Sequence, residues 1–453
     1  MLDSNILSPL RRRLFEPLMY LVNGSPRLRY WRELEQTQFL PEAELQDRQR
    51  QRLKEMLRYV WENNAFYRSR FERAGFTPDL IQTQEAIGRI PILTKEEIRR
   101  NTPQIISRDF EKDELLHFKT GGSTGKSLDI YLTEDCSELR NACARRHDRW
   151  TGWEAGEPIA AVWGNPELPI TIKDKMKQYL TYPYIYLDTM SVTKESVKNF
   201  ADEWDRVKPT LLFGHAHSIF VLAQFVRDMK IQSFKPRGIL STSMMLIPHE
   251  RKVIEEVFGI KVTDRYGCEE VSLIASECER HEGMHMNIEH LFIEFIKDDG
   301  TYAAMGEPGR IIVTDLMNRA MPLIRYQVED VGVPSDRKCS CGRGLPMMEH
   351  VTGRVADFLI KKDGSRVAGV SLIENTLTKI PGIDQMQIVQ ESIDSIILIV
   401  VPGRDFLENS KIELVNYFKN LFGESVSIDV QIVQVIQPEP SGKYRFSICK
   451  ISH

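Results

Sequence analysis

The sequence predicts an α/β protein with a large N-terminal domain and a small α+β C-terminal domain. Its 453 residues exceed the roughly 250 to 300 residues that one hydrophobic core usually supports, so two unequal domains are expected. Strand-like and helix-like segments alternate after Gly121, which indicates mostly parallel sheets. From residue 267 onwards the pattern changes to pairs of strands, which predicts a β-rich part at the end of the large domain.

Residues 1–110 are expected to be mainly helical. Between Glu42 and Ala74, apolar residues recur at three- and four-residue spacing, which is typical of helices with one buried face. Thr94, followed three residues later by Glu97, has the spacing of a capping box and predicts the start of another helix. Residues 14–22 are expected to form a helix docked on its own domain, with a helix lying on a membrane surface as the alternative.

The alternating part and the two later parts have defined predicted segments. Strands are predicted at residues 128–132, 159–162, 210–213, 238–241 and 261–266, with helices at 136–150, 192–206, 218–229 and 248–258. A strand pair at 291–296 and 310–315 lies in the β-rich part, residues 267–350. Later strands are predicted near 358–360, 385–391, 395–401 and 427–433, with a helix at 410–421. The domain boundary is placed at residues 353/354, which gives a large domain 1–353 and a small C-terminal lid domain 354–453.

Composition and charge exclude several functional classes. The chain is 42% hydrophobic and 27% charged, as folded soluble proteins are. A formal net charge of −4, from 60 basic and 64 acidic residues, provides no overall field that would favour nucleic acid. The apolar runs are strand-sized, so no membrane span is expected, and no signal peptide is visible, so a cytoplasmic location is expected.

A glycine-rich loop is the first segment that suggests chemistry. It consists of Thr120, Gly121, Gly122, Ser123, Thr124, Gly125, Lys126 and Ser127. Glycines allow backbone N–H groups to turn toward a ligand, hydroxyls add donors, and the lysine supplies a positive charge, which suits a polyphosphate. The loop lacks the glycine spacing of a Walker A motif, and a strand rather than a helix is predicted after it. A plain flexible hairpin loop is the alternative.

Five further segments follow in order. They are residues 241–244 (Ser-Thr-Ser-Met), 264–270 (Asp-Arg-Tyr-Gly-Cys-Glu-Glu), 322–330 (Pro-Leu-Ile-Arg-Tyr-Gln-Val-Glu-Asp), 352–357 (Thr-Gly-Arg-Val-Ala-Asp) and 438–445 (Pro-Glu-Pro-Ser-Gly-Lys-Tyr-Arg). Together with the loop, they resemble the motifs of the adenylate-forming superfamily, which includes acyl-CoA synthetases, firefly luciferase and nonribosomal adenylation domains. Within it, the chain is most similar to the phenylacetate-CoA ligase branch and its relatives in capsular polysaccharide biosynthesis, over residues 40–450.

The resemblance implies a role for particular residues. The nucleotide would contact the loop from Thr120 to Lys126, and also Ser243, Tyr266 and Gly267. Asp330 would accept hydrogen bonds from the ribose hydroxyls, a task suited to an acceptor-only side chain. A strand salt bridge between Arg325 and Asp330 is the structural alternative.

Three further residues are implied to be catalytic. Glu270 would bind magnesium, which prefers oxygen ligands shared with substrate phosphates. Arg354 would touch the nucleotide, and Lys443 would bridge the substrate carboxylate and the α-phosphate. Glu269 stands where relatives have Thr or Ser, so either glutamate can be the metal ligand, with Glu270 the expected one. Ala356 stands where relatives have Asp or Lys as the pivot of a domain rotation.

The seven cysteines indicate metal or free thiols rather than disulfides. Cys278, Cys339 and Cys341 with one histidine fit a closed tetrahedral structural zinc site. His285 is the expected fourth ligand, ahead of the nearby His281, because residues 283–285 resemble a Gly-x-His element of the relatives. Unrelated reduced thiols are the alternative. His215 and His217 are read either as lining of an acid-binding pocket or as plain structure.

The function implied by the resemblance is an ATP-dependent, AMP-forming ligase. ATP, magnesium and coenzyme A are the expected cofactors, with structural zinc in addition, and the partners are a small-molecule carboxylic acid and a thiol or amine acceptor. An amide ligase or transferase acting on an amine, sugar or cofactor is one alternative. A non-catalytic nucleotide-binding descendant, motivated by Glu269 and Ala356, is another. The resemblance is compatible with a homodimer.

Overall fold

An eleven-stranded sheet is the largest element of the computed structural model. The structure describes residues 4–80, 84–120, 128–164, 171–181, 183–352, 358–403, 405–436 and 445–451. The strands of the large sheet follow the order β10-β11-β12-β13-β9-β8-β7-β6-β5-β3-β4. Strands β1 to β19 are Leu116–Lys119, Asp129–Leu132, Ile159–Trp163, Tyr184–Asp188, Leu211–His215, Gly238–Thr242, Val262–Cys268, Ser272–Glu277, Met284–Met286, Leu291–Ile296, Gly309–Asp315, Tyr326–Ser335, Met347–Thr352, Phe358–Ile360, Arg366–Ala368, Ile383–Ser392, Ser395–Pro402, Ser427–Ile432 and Ser447–Cys449.

Fourteen α-helices occur in the described ranges. Helices α1 to α14 are Ser4–Leu10, Glu16–Val22, Arg27–Thr37, Glu42–Asn63, Ala65–Arg73, Gln84–Gly88, Lys95–Ile105, Glu134–Trp150, Ile172–Thr181, Lys194–Val207, Ala216–Asp228, Pro248–Phe258, Gly369–Lys379 and Glu408–Phe422. A π-helical turn, Arg11–Phe15, joins α1 to α2, and short 3₁₀ helices lie at Pro78–Leu80 and Lys112–Glu114. None of these helices has the length and apolar character needed to cross a membrane.

The large sheet has a parallel half and an antiparallel half. In the parallel half, β4, β3, β5, β6 and β7 pair side by side in one direction, with helices α10, α11 and α12 between successive strands, as the alternating pattern predicts. The predicted β-rich part forms the antiparallel half, β8 to β13. Strand β7 joins the halves, because its first residues pair with β6 and its last residues pair with β8. The mixed α/β fold class is therefore confirmed.

Each half of the sheet is covered by its own helices. Leu53, Met56 and Val60 on α4 have the helical spacing predicted for a buried face, and they join the core of the antiparallel half. Ile219 and Ile254, on α11 and α12, pack in a second core against the parallel half, and this core continues into the C-terminal region. The two largest hydrophobic clusters of the described residues therefore follow the two halves of the sheet, and two smaller clusters lie beside them.

The predicted capping box at the start of α7 is present. The Thr94 hydroxyl accepts the Glu97 N–H at 3.2 Å, and Glu97 Oε2 accepts the Thr94 N–H at 3.0 Å. This cap begins the helix at Lys95, whose buried side chain points away from solvent. The cap thereby fixes the position of a buried cation.

The C-terminal region forms a separate four-stranded sheet of order β18-β17-β16-β19, with α13 and α14. It rests on the parallel half through Arg366 and Val192, whose backbones form a bridge, and through a 2.9 Å hydrogen bond between the hydroxyls of Thr189 and Ser371. The predicted boundary, residues 353/354, lies outside the described residues. The division into domains 1–353 and 354–453 stays a prediction.

The first helices dock on the large domain through buried charges. Arg11 donates to the carbonyl of Tyr179 at 2.9 Å, and Glu16 is ion-paired with Arg145. The docked alternative is thus the one observed, although Leu14 and Leu18 remain exposed. The sequence-based prediction assigned no element to α9, β4 or α13. Strand β4 lies at the edge of the large sheet, and its side chains alternate between partly buried and buried from Tyr184 to Leu187.

Candidate active site

A cavity of about 390 Å³ opens at the carboxyl ends of the parallel strands β3, β5, β6 and β7. Strand ends, the β1–β2 hairpin and helix α8 form most of its walls, and Ile373 and Phe446 of the C-terminal region close one side. Ligands of open α/β sheets characteristically bind in this position, outside the carboxyl ends of the strands. The cavity is therefore the leading candidate for a substrate site.

The lining of the cavity is partly apolar. The rings of Trp163 and Phe213 stack with centroids 5.3 Å apart and form an apolar wall, and Phe118, Leu132 and Leu273 also line the cavity. Hydroxyls and carboxylates contribute to the rest of the lining. A mixed lining of this kind suits a molecule with an apolar part and a charged part.

The ends of the predicted phosphate loop border the cavity. Strands β1 and β2 pair in antiparallel register up to Lys119 and Asp129, so the segment between them is a hairpin connection. Thr120 lines the cavity, and its hydroxyl accepts the Leu128 N–H at 2.8 Å. Gly121, Gly122, Ser123, Thr124, Gly125, Lys126 and Ser127 lie outside the described residues. The strand predicted after the loop is confirmed.

Ser243 and Gly267 border both this cavity and a smaller neighbouring cavity of about 50 Å³. Ser243 has a left-handed backbone with φ of 66°, which turns the chain directly after β6. A Cβ atom at Gly267 would lie 2.6 Å from the carbonyl oxygen of Ser272, so the approach of β8 requires glycine there. The backbone at both residues is thus constrained where it borders the cavity, by a left-handed turn at Ser243 and by the close approach of β8 at Gly267.

Tyr266 and Asp330 meet at the smaller cavity. The Tyr266 hydroxyl donates to Asp330 Oδ2 at 2.9 Å, although the two residues are 64 positions apart. Asp330 is buried on β12, and both side chains line the cavity with Met244 and Met284. Arg325 pairs with Glu294 at 3.0 Å, so the alternative of an Arg325–Asp330 salt bridge is wrong.

Glu270 is held by a network that the motifs do not reveal. Its Oε1 atom accepts the Tyr326 hydroxyl at 3.1 Å and lies 3.6 Å from the ammonium of Lys95. Lys95 also pairs with Glu329 at 3.2 Å. A lysine in the first turn opposes the helix dipole, and this unfavourable position was the available signal that Lys95 has a carboxylate partner.

Glu269 is exposed at the cavity wall, in contrast to its buried neighbour Glu270. The pKa of the Glu269 carboxyl is raised, first because the cavity walls reduce its hydration and second because the charge of Glu270 repels its own. Two adjacent carboxylates facing one cavity are suitable ligands for a hard divalent cation, which would relieve that repulsion.

The two guanidinium groups lining the cavity already have partners. Arg140 pairs with Asp315 at 2.8 Å, and it also donates to the Glu270 carbonyl oxygen at 2.8 Å. Arg265 pairs with Asp148 at 2.9 Å. Three residues predicted to contact the nucleotide or substrate, Lys126, Arg354 and Lys443, lie outside the described residues, as does Ala356. Phe446, three positions after Lys443, lines the cavity.

His215 at the end of β5 and His217 at the start of α11 do not border the described cavity. His215 is fully buried behind Trp163, with ring centroids 3.9 Å apart, and burial lowers its pKa to about 3. His217 pairs with Glu250 and packs on Phe358. These contacts fit the interpretation that both histidines have a structural role, and not the interpretation that they line an acid-binding pocket.

Four predicted metal ligands come together elsewhere in the antiparallel half. One ligand atom from each of Cys278, His285, Cys339 and Cys341 lies within 4.8 Å of all the others. His281 instead hydrogen-bonds Glu277 at 3.2 Å, and Cys268 borders the candidate active site. The choice of His285 over His281 therefore agrees with the geometry.

Comparisons with known proteins bear on the whole chain. Residues 359–450 match the family model of the CapK C-terminal domain. Protein CapK of Staphylococcus aureus is 26% identical over 447 residues, covering 97% of both chains. The phenylacetate-coenzyme A ligase of Escherichia coli K12 is 27% identical, covering 70% of this chain and 72% of its own. That of Thermus thermophilus is 25% identical, covering 71% and 73%.

Solved structures show the same fold. A crystal structure of 2-hydroxyisobutyryl-CoA ligase, in complex with 2-HIB-AMP and CoA in the thioesterification state, superposes with a TM-score of 0.62 at 20% identity, covering 92% of each chain. An open conformation of the same ligase gives a TM-score of 0.59, covering 90% of this chain and 92% of its own. The chain is therefore a homologue of CapK and of the phenylacetate-coenzyme A ligases, with the fold of the adenylate-forming CoA ligases.

Proposed function

We propose that the protein is an ATP-dependent ligase that activates a carboxylic acid as an acyl adenylate and transfers the acyl group to coenzyme A. The observation that carries the proposal is the convergence of Thr120, Ser243, Gly267 and Glu270 on one cavity at the carboxyl ends of parallel strands. These residues come from three separate motifs that resemble the adenylate-forming pattern, since Gly267 and Glu270 belong to the same one. The ligase homologues support an enzyme of this class.

The smaller cavity is proposed to hold the nucleoside. Tyr266 would lie against the adenine, and the Asp330 carboxylate, oriented by the Tyr266 hydroxyl at 2.9 Å, would accept the ribose hydroxyls. Ser243 and Gly267 border both cavities, and the phosphates of the nucleotide are proposed to lie in the larger cavity. There the hydroxyl and backbone groups of the loop from Thr120 to Lys126 would surround them.

The described residues leave little positive charge for binding phosphates, so a bound cation and further basic residues are proposed to supply it. Glu269 and Glu270 add negative charge, while Arg140 and Arg265 are already ion-paired. A bound magnesium ion would neutralise phosphate charge, and Glu270 is the residue proposed to hold it, with Lys95 and Tyr326 fixing its carboxylate. Lys126, Arg354 and Lys443 would supply the remaining positive charge.

The proposed reaction has two half-reactions at one site. A carboxylate oxygen of the acid attacks the α-phosphorus of ATP, the bond to pyrophosphate breaks, and the acyl adenylate is held by Arg354 and Lys443. The sulfur of the thiol then attacks the acyl carbon, the bond to AMP breaks, and the thiol proton is released. The protein contributes position and charge rather than a covalent nucleophile. The apolar wall around Trp163 and Phe213 would receive the organic part of the acid, which can be an aryl group.

An amine, sugar or cofactor acceptor in place of the thiol is the alternative proposal. CapK aligns over 97% of this chain, and the family model of its C-terminal domain matches residues 359–450. Ile373 and Phe446 of that C-terminal region line the cavity, so the acceptor would meet the acyl group beside residues of this region.

Acid and acceptor can be assigned by two assays on the same protein. Pyrophosphate release from ATP with a panel of aryl and aliphatic acids identifies the acid. AMP release during titration with coenzyme A, with amines and sugars in parallel, identifies the acceptor. ATP binding without pyrophosphate release for any acid would refute the ligase and favour a nucleotide-binding protein.

A cytoplasmic location is proposed on the chemistry of the cysteines. None of the seven forms a disulfide in the structure, and four of them, Cys136, Cys143, Cys278 and Cys339, are buried. Cysteines without disulfides are usual in reducing compartments, where ATP and coenzyme A are also present.

A further inference from the structure

We infer that Cys278, His285, Cys339 and Cys341 bind one zinc ion, and that this ion fixes the 339–344 loop, which in turn fastens the N-terminal helices through Arg343 and Gly344. The site lies apart from the candidate active site and does not depend on the proposed reaction. Cys278 follows β8 and His285 lies on β9, while both other cysteines belong to the connection between β12 and β13. Strands β8, β9, β13 and β12 are neighbours in the sheet, so their loops meet at one edge.

The distances between ligand atoms fit a tetrahedral ion. With Zn–S bonds of about 2.3 Å and Zn–N bonds of about 2.0 Å, tetrahedral geometry separates two sulfurs by about 3.8 Å and a sulfur and a nitrogen by about 3.5 Å. The sulfurs of Cys278 and Cys339 are 3.6 Å apart, and Cys341 Sγ is 3.4 Å from His285 Nε2. A disulfide requires a bond of about 2.05 Å, so these thiols are not oxidised partners.

Hydrogen bonds around the four side chains favour the protonation states that bind a cation. His285 Nδ1 lies 3.3 Å from the Leu345 carbonyl oxygen, so it carries the proton and leaves Nε2 as the ligand atom. The backbone N–H groups of Arg280 and Arg343 donate to the sulfurs of Cys278 and Cys341, at 3.5 and 3.4 Å. Such donors stabilise thiolates, the form that binds a metal.

The chemistry of the set selects zinc in a structural role. Three sulfurs and one imidazole at tetrahedral spacing suit zinc, whereas magnesium and calcium prefer oxygen. Cys278 and His285 are fully buried and Cys339 is nearly so. Four protein ligands leave no position for a substrate, which excludes a catalytic zinc.

The loop that carries two ligands is docked on the N-terminal helices. Arg343 Nε donates to Gln38 Oε1 at 3.0 Å, and its guanidinium stacks 4.7 Å above the Trp150 ring at the end of α8. The Gly344 N–H donates to the Gln38 carbonyl at 2.9 Å, and a Cβ at Gly344 would collide with the Leu40 carbonyl. The connection between α3 and α4 thus rests on the metal-binding loop.

Metal content tests the site without measuring activity. Protein purified in chelator-treated buffers is expected to keep one zinc per chain, and Cys339→Ser is expected to reduce it to below about 0.1 ion per chain. The matched control is Cys143→Ser, a buried thiol outside the cluster, which should keep its zinc. Since Cys339→Ser can fail to fold, cobalt-substituted wild-type protein provides a second measurement: thiolate-to-cobalt absorption and tetrahedral ligand-field bands are expected.

Hydrogen exchange tests the fastening of the N-terminal helices. Arg343→Ala should keep its zinc while exchange of the amides of residues 38–45 rises about tenfold or more, because the Gln38 and Trp150 contacts are lost. Arg337→Ala, an exposed arginine before the same cysteines, should leave that exchange unchanged. Wild-type protein without metal and without cobalt bands refutes the zinc site. Unchanged exchange in Arg343→Ala refutes the fastening.

Discussion

The cysteine–histidine cluster and the candidate active site lie in the same large sheet but are built differently. The ligands of the cluster come from only two places in the chain, the β8–β9 hairpin and the connection between β12 and β13. Their four ligand atoms lie within 4.8 Å of one another. The candidate active site uses segments from Phe118 to Phe446, including two residues of the C-terminal region. The cluster is thus a closed site of local origin, whereas the cavity depends on elements that are distant in the chain.

This difference explains what each site can do. Closed coordination by four protein ligands leaves the cluster a structural task. The cavity combines paired arginines, two adjacent carboxylates and an apolar wall, and one side is formed by a second region of the chain. An open cavity of this kind can bind and release substrates.

The largest expected effect is that of Lys443→Ala. The cavity's described arginines are already paired, so we expect adenylation to slow by about 100-fold or more, corresponding to about 3 kcal/mol for one preorganised charge contact. Acid-dependent exchange of pyrophosphate into ATP measures this step. Lys450→Ala, an exposed lysine of the same region paired with Glu391, is the control and should retain normal exchange. Normal exchange in Lys443→Ala would remove the residue from the proposed mechanism.

A smaller effect, on the magnesium requirement, is expected when Glu270 and Glu269 are each replaced by glutamine. Glu270→Gln should raise the magnesium concentration for half-maximal pyrophosphate exchange about tenfold or more, because a neutral amide is a weaker ligand than a carboxylate. Glu269→Gln should change it less, since Glu269 stands exposed at the wall and lacks the Lys95 and Tyr326 contacts that fix Glu270. The opposite ranking would make Glu269 the magnesium ligand.

Loss of the Tyr266 hydroxyl should moderately weaken the binding of the nucleotide. Tyr266→Phe removes the hydrogen bond to Asp330 and is expected to weaken ATP binding about fivefold, or about 1 kcal/mol. Titration calorimetry with ATP measures the affinity. In a double-mutant cycle with Asp330→Asn, the two effects should be non-additive, because the residues share one hydrogen bond. Strict additivity would show that the pair does not act together on the ribose.

The sequence predicts the cluster and the active site by different kinds of information. Closely spaced Cys and His residues are few and have specific chemistry, so the pattern alone selects Cys278, Cys339 and Cys341. Most of the helices and strands follow equally from their apolar period, as α12 at Pro248–Phe258 illustrates. The composition of the loop from Thr120 to Ser127 by itself suggests a phosphate site. The other nucleotide residues were selected only through resemblance, because Gly267 or Asp330 alone has no distinctive pattern.

Other features depend on contacts between distant segments. Lys95 meets Glu270 across 175 positions of sequence, and no local pattern encodes such a pairing. The burial of His215 behind Trp163 likewise depends on how β3 and β5 pair. Side-chain partners of this kind are set by tertiary packing, which local propensity does not contain.

A last prediction concerns stability rather than ligand binding, and it involves Asp264, which lines the smaller cavity. Burial, and next the charge of Glu277, raise the pKa of Asp264 to about 7, although Arg251 and the Ser241 hydroxyl oppose the shift. Between the ordinary pKa of about 4 and the raised value, the native protein binds this proton more tightly than the unfolded chain, so this carboxyl lowers the free energy of unfolding as pH rises. Asp264→Asn should remove that part of the slope in urea unfolding at pH 5 and 7, whereas Asp202→Asn, an exposed aspartate on α10, should keep it. An unchanged slope in Asp264→Asn would mean that the carboxyl is ionised throughout this range and that the nucleoside cavity carries a full negative charge at neutral pH.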